Sequence, residues 1–165
     1  MEDVFPYLEK SPESFDVILV DLLDGYDETA VRLYDNVLGL THKALAPGGV
    51  VGAFGDLAIP RMSIAPVYQG LTKLFQHVVL HRAAVQTFSG GYGFMLASNE
   101  VDFSTTPNES IVGRAEALTG ELHALTPEAF PGCFALPAYI EAALRRPAPP
   151  PSSALADAFT WLDSK

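Results

Sequence analysis

Within Phe15-Asp-Val-Ile-Leu-Val-Asp-Leu-Leu-Asp24, a short apolar run stops abruptly at a carboxylate, with a second one three residues on. Val17 to Val20 is uninterrupted and rich in β-branched residues, so it reads as a strand buried on both faces of a parallel sheet. Asp21 then stands at the strand's carboxyl end and Asp24 on the loop beyond. In open α/β sheets the carboxyl ends of the strands border the crevice where ligands bind. A carboxylate there can also cap a turn by accepting backbone amide hydrogens, so the position alone leaves both roles open.

The segments that follow alternate. Thr29 to Leu45 repeats apolar residues at helical spacing, among them Val31, Tyr34, Val37, Leu38 and Leu45. Asp27 and Glu28 suit the positive end of that helix, and Pro47-Gly48-Gly49 stops it. Val50 to Phe54 reads as a second buried strand. Ile64 to Phe75 is a second helix, with Pro66 tolerated in its first turn, where the missing amide would be unpaired anyway. His77 to Val85 and Gly93 to Ser98 are strands, joined by the loop Thr87 to Tyr92, whose adjacent glycines reach backbone angles closed to other residues. Strand, helix, strand, helix, strand, strand predicts parallel right-handed crossovers and then an antiparallel hairpin at the sheet edge. The fold class is therefore α/β with a mixed sheet.

Outside this block, Phe5 to Lys10 suits a short helix or turn, and Glu100 to Glu109 is polar and turn-rich. Ile111 to Leu125 and Pro137 to Arg145 suit helices. Pro147, Pro149, Pro150 and Pro151 lack amide donors and favour an extended spacer. That divides the chain into a domain over 1–146 and a spacer with a short tail over 147–165, where Ala154 to Leu162 could form a small amphipathic helix.

The 165 residues are 48% apolar and 18% charged, enough for one globular domain with a sizeable core. A formal charge of -10 argues against nucleic acid, whose recognition relies on clustered Lys and Arg, and is compatible with a cationic ligand. No apolar run approaches a membrane span and the amino terminus has no signal-peptide pattern, which together predict a cytoplasmic protein without membrane contact. The single cysteine, Cys133, lies in the apolar context Cys-Phe-Ala-Leu and reads as a buried structural thiol.

His77 and His81 share one face of a strand but stand about 13 Å apart, too far to chelate one ion, and no metal site is predicted. Ser89-Gly-Gly-Tyr lacks the strand-Ser-helix context of a nucleophile elbow, and Gly90-Gly91 is too sparse for a phosphate loop. Tyr92, Phe94 and Met95 suit core or pocket wall. Arg145-Arg146 suits a solvated helix end.

Three stretches in register, Phe15 to Asp24, Lys43-Ala-Leu-Ala-Pro-Gly-Gly-Val50 and Gly91-Tyr-Gly-Phe-Met-Leu-Ala-Ser98, resemble the polyamine aminopropyltransferases, the spermidine synthase family. The tail Phe134-Ala-Leu-Pro137 is similar to the family's Phe-x-Leu-Pro, and the resemblance spans about residues 2 to 144. It implies the carboxyl-terminal half of a Rossmann-like, methyltransferase-type sheet. It implies aminopropyl transfer from decarboxylated S-adenosylmethionine, as co-substrate and not as a tightly bound cofactor, to a diamine such as putrescine. Asp21 matches the general base and Asp24 the carboxylate that holds the cationic diamine or polyamine. Asp3 matches the acid that recognises the adenine amino group, with Val4 beside it in the cofactor-binding set.

The same resemblance puts the glycine-rich cofactor loop, its flanking strands and an amino-terminal β domain before residue 1, and this chain contains none of them. An uncovered first strand predicts a homo-oligomer, a partner chain on that edge, or a truncated gene. Leu22 and Leu23 stand where the family has small polar residues, and Gly25 where it has proline. Phe54 replaces a common glutamine, Phe88 a tyrosine, and Val4 a smaller residue. Two readings follow: an aminopropyltransferase, or a truncated or degenerate member that binds or assembles without catalysis of its own.

Overall fold

The computed structural model describes residues 4–22, 28–55, 64–85, 90–118 and 126–145. In chain order the elements are α1 (Val4–Glu9), β1 (Phe15–Val20), α2 (Glu28–Ala44), β2 (Leu45–Gly55), α3 (Ile64–Leu74), β3 (His77–Val85) and β4 (Gly90–Ser98). Then come α4 (Asn108–Glu116), a 3-10 helix (Pro127–Phe134) and α5 (Ala138–Leu144). The four strands form one sheet in the order β1-β2-β4-β3. β1 pairs with β2 in parallel, while β4 is antiparallel to both β2 and β3. β3 therefore runs with β2, one slot removed, and the hairpin closes the sheet at the margin opposite β1. The mixed α/β sheet and its terminal hairpin agree with the sequence reading.

One face carries the core. Val51 and Ala53 of β2, Met95 and Ala97 of β4 and Leu80 of β3 alternate inward, against Leu38 of α2, Leu71 of α3 and Ile140 of α5. Amphipathic periods of two and 3.6 meet here: each element buries one stripe and the stripes face one another. α4 and the 3-10 helix pack together, and the 3-10 helix rests on β3.

β1 departs from expectation. Val20 is buried and Ile18 half-buried, but on the opposite face Val17 and Leu19 are 60% and 78% exposed. The strand lies at the sheet margin and is not buried on both faces. Leu19 instead leans across β2, its Cδ2 reaching to within 2.8 Å of where a Cβ on Gly52 would stand.

The passage from α2 to β2 is also tighter than predicted. Leu45 already pairs with Phe15, whereas Val17 pairs with Val50, so five steps on β2 answer two on β1. Ala46 to Gly49 thus form a bulge within the strand, not a turn that ends the helix, and Gly48 supplies the positive φ of 73° it requires. Ser98, fully buried, closes the bulge: its hydroxyl donates to the Gly49 carbonyl at 2.9 Å and accepts from the Glu100 and Val101 amides at 3.3 and 3.1 Å. Ser98→Ala leaves those three backbone groups without this partner and should lower unfolding free energy by about 1–3 kcal/mol. Urea titration measures it, and an unchanged midpoint would show that the hydroxyl carries no such weight.

β4 starts at Gly90, three residues before the expected Gly93, because Gly90 and Gly91 pair with Val85 and Ala84. α4 starts at Asn108, before the expected Ile111, since Pro107 precedes it in an extended conformation. The 3-10 helix has no counterpart in the sequence reading. α4 also ends at Glu116, short of the expected run to Leu125, where Ala117 caps it with its amide bonded back to the Gly113 carbonyl; residues 119–125 and the spacer and tail over 147–165 lie outside the described residues. Among the described residues no helix is long and apolar enough to cross a membrane.

Candidate functional site

Asp21 is exposed and is the first residue past β1. The last register pair is Val20 with Ala53, and since the two strands run in parallel the next step brings Asp21 alongside Phe54. Directly after Asp21, the carbonyl of Leu22 accepts a long hydrogen bond from the Tyr34 hydroxyl of α2, at 3.5 Å. The backbone of Asp21 is thus placed at the carboxyl ends of two parallel strands, between the last paired residue of β1 and the Leu22 carbonyl. Val4, 49% exposed, opens α1, and α1 packs against α2. Of the four residues that the resemblance assigns to the site, Asp21 and Val4 are placed, in different parts of the fold; Asp3 and Asp24 lie outside the described residues, as do Leu23, Gly25 and Phe88.

Phe54 leads into an aromatic layer on the sheet face opposite the core. Its ring lies 4.9 Å from that of Tyr92 and 6.1 Å from that of Phe94. Phe94 stacks on His81 at 5.5 Å and 23°, and Phe134 of the 3-10 helix covers His81 from 5.7 Å. Burial lowers the His81 pKa below the ordinary 6.5, so the ring is neutral at pH 7. This layer joins residues from β2, β3, β4 and the 3-10 helix. Composition and spacing gave no sign of it beyond Tyr92 and Phe94 as pocket wall.

His77, on the same strand as His81, takes a different partner: its Nδ1 lies 3.7 Å from Asp102. Asp102 also accepts the Ser104 hydroxyl at 2.6 Å and amide at 2.9 Å, and these hydrogen bonds hold its pKa below the usual carboxylate value. The two histidines are therefore engaged separately, and among the described residues no group of three His, Cys, Asp or Glu could hold a metal ion. Cys133 is half-buried, not buried, with its sulfur 4.0 Å from the Ala129 carbonyl one turn back.

At the far end of the sheet, a cavity of about 500 Å³ is bordered by Glu13, His42, Lys43, Gly48, Asn99 and Glu100. Asn99 already bridges His42, at 3.0 Å, and the Gln76 amide, at 3.1 Å, while His42 sets its edge against Phe75. The polar groups there tie α2 and α3 to the end of β4. That is a structural use.

No protein-family model matches the chain. It is 28% identical over 147 residues to the polyamine aminopropyltransferase of Korarchaeum cryptofilum, covering 87% of this chain and 46% of that protein. It is 35% identical over 126 residues to polyamine aminopropyltransferase 2 of Pseudomonas aeruginosa, covering 73% and 36%. Among solved structures, a spermidine synthase in complex with the transition-state analogue AdoDATO superposes with a TM-score of 0.70 at 23% identity, over 84% of this chain and 47% of that one. That likeness speaks for the fold. The chain spans about half the length, or less, of the curated relatives it matches. Motif order, sequence similarity and strand topology agree, and the chain belongs to the polyamine aminopropyltransferase (spermidine synthase) family.

Proposed function

We propose that this chain is the carboxyl-terminal half of a methyltransferase-type sheet and serves aminopropyl transfer from decarboxylated S-adenosylmethionine to a diamine such as putrescine. The observation that carries the reading is Asp21, exposed one residue beyond β1 and level with the end of β2, in a chain of this family. An alkylammonium must lose a proton before its nitrogen can attack the carbon beside a sulfonium, and a carboxylate at that position can accept it. A nitrogen–carbon bond then forms as the carbon–sulfur bond breaks, and the electron pair leaves with sulfur as a neutral thioether. Asp24 would hold the cation by a charge-assisted hydrogen bond, with Asp3 and Val4 beside the adenine. The sulfonium is already a good leaving group, so positioning supplies much of the acceleration. A family-fold structure that holds AdoDATO supports a co-substrate of this type.

A second reading, a degenerate member that binds or assembles without catalysis, is favoured by Phe54 in the place of a common glutamine. Incubating the protein with decarboxylated S-adenosylmethionine and putrescine, and reading product by mass spectrometry, separates the two. Putrescine carrying one added aminopropyl group supports transfer; its absence at stoichiometric protein supports the second reading.

The β1 margin bears on both. Val17 and Leu19 expose apolar surface on a strand that has one neighbour among the described residues, and such edges invite pairing with another chain. We read this margin as the seat of a homo-oligomer or a partner chain. Light scattering after size exclusion should give a mass above that of one chain, and Leu19→Lys should reduce it. A soluble monomer at every concentration would reject self-association.

A further inference from the structure

We propose that the groove between α4, the 3-10 helix and β2 seats a segment of this same chain, Ala154 to Leu162, which lies outside the described residues, with Leu155, Phe159 and Leu162 turned into it.

The groove is a cavity of about 410 Å³ bordered by Val50 of β2, Ile111 of α4, Leu118 just beyond α4, and Phe130 and Phe134 of the 3-10 helix. The two helices that wall it lack apolar cover. No residue of the 3-10 helix is fully buried, and in α4 only Ala115 is. Leu118 is exposed although its amide is bonded to the Ala115 carbonyl at 3.2 Å, so a fixed backbone presents this side chain to water. Arg114, also on the border, is exposed and makes no ion pair among the described residues. Such a groove suits an apolar stripe flanked by an acid. Leu155, Phe159 and Leu162 stand at i, i+4 and i+7, on one face of a helix, and Asp163 follows directly.

Chain length lets that segment reach the groove within one molecule. From Phe134, on the groove wall, to Ala138, where α5 begins, is four residues, at most about 14 Å. α5 adds about 10 Å, so Leu144 stands within about 25 Å of the wall whichever way α5 points. The ten residues from Leu144 to Ala154, four of them proline, span about 31 Å when extended. A tether of that length holds its segment at an effective concentration of about 1 mM, so an affinity of about 0.1 mM between separate pieces leaves about nine chains in ten closed. A second copy at micromolar concentration has no such advantage at this groove.

Trp161 is the only tryptophan in the sequence and lies within the segment, so its fluorescence in the full chain reports the segment alone. Acrylamide should quench it at least about twofold less than it quenches N-acetyltryptophanamide, and this protection should survive about hundredfold dilution, because a tethered contact does not depend on protein concentration. Leu118→Lys, at an exposed position of the groove, and Phe159→Asp, on the segment, should each abolish most of the protection while leaving the far-ultraviolet circular dichroism of the sheet domain in place. Trp161 quenched as readily as the free reference overturns the inference. Protection lost on dilution means that a second copy supplies the cover, and overturns it too. Protection that survives either substitution means that the segment sits elsewhere, with the same consequence.

Discussion

Where aminopropyl transfer is found with this chain, as proposed, Asp21→Asn should slow it by about 10²–10⁴-fold. Asparagine keeps the shape of the side chain and most of its hydrogen bonding, but it has no basic oxygen to take the proton from the attacking ammonium. The loss falls on kcat because proton removal belongs to the chemical step. Asp24→Asn acts earlier. On the proposed reading it removes a contact already present in the ground-state complex, so KM should rise more than kcat falls. Steady-state kinetics on the two variants, with an amine that is cationic at the assay pH, gives the split directly. Equal, small losses for both would mean that the carboxylates are caps on a loop, and the transfer mechanism would have to be given up.

Leu38→Ala destabilises the fold by about 2–5 kcal/mol, the range for a fully buried leucine removed from a well-packed core. Leu38 is 1% exposed and sits where α2 meets α3, with Gly70 as its neighbour on α3. A Cβ at Gly70 would stand 3.2 Å from Leu38 Cδ1, so the glycine is what lets this leucine seat. Gly70→Ala in the native background sets about 1 kcal/mol of improved helix propensity against that crowding and should be near neutral or mildly destabilising. In the Leu38→Ala background the crowding is gone and the added methyl enters the cavity, so the same change should stabilise. The cycle should therefore show a favourable coupling of about 0.5–2 kcal/mol. Denaturant unfolding of the four proteins measures it, and strict additivity would mean that α3 has shifted away and the contact is not shared.

What could be read ahead of the structure depended on how local the determinant was. His77 to Val85 was legible because the short apolar run Val78 to Leu80 leads toward the Ser-Gly-Gly loop at 89–91, and Asp21 because an apolar strand ended on it without a transition. The second face of β1 was not legible. Val17 and Leu19 have the composition of a buried strand, but whether a face is covered depends on what packs there and not on the strand itself. Pro127 to Phe134 was missed because prolines at both Pro127 and Pro131 disrupt any α-helical period, while a 3-10 helix tolerates them at its turns. The bulge at Ala46 to Gly49 was mistaken for a stop because the same glycines serve either purpose; only the pairing of Leu45 with Phe15 distinguishes them. The aromatic layer from Phe54 to Phe134 is assembled from four elements, and such convergence leaves no periodic trace along the chain.

The slot taken by β4 sets a constraint on the order of assembly. When β2, α3 and β3 have left the ribosome, the two strands run the same way but cannot bond to each other, because the space between them belongs to residues still to come. Both carry unpaired edges until Gly90 to Ser98 emerges, and the pairing of β4 with β2 closes a loop of about 40 residues, whereas its pairing with β3 is a local hairpin. The hairpin is thus the fast event and its docking onto β2 the slow one. A nascent chain halted before Ser98 would hold β2 with its β4 edge unpaired, an arrangement exposed to misassociation.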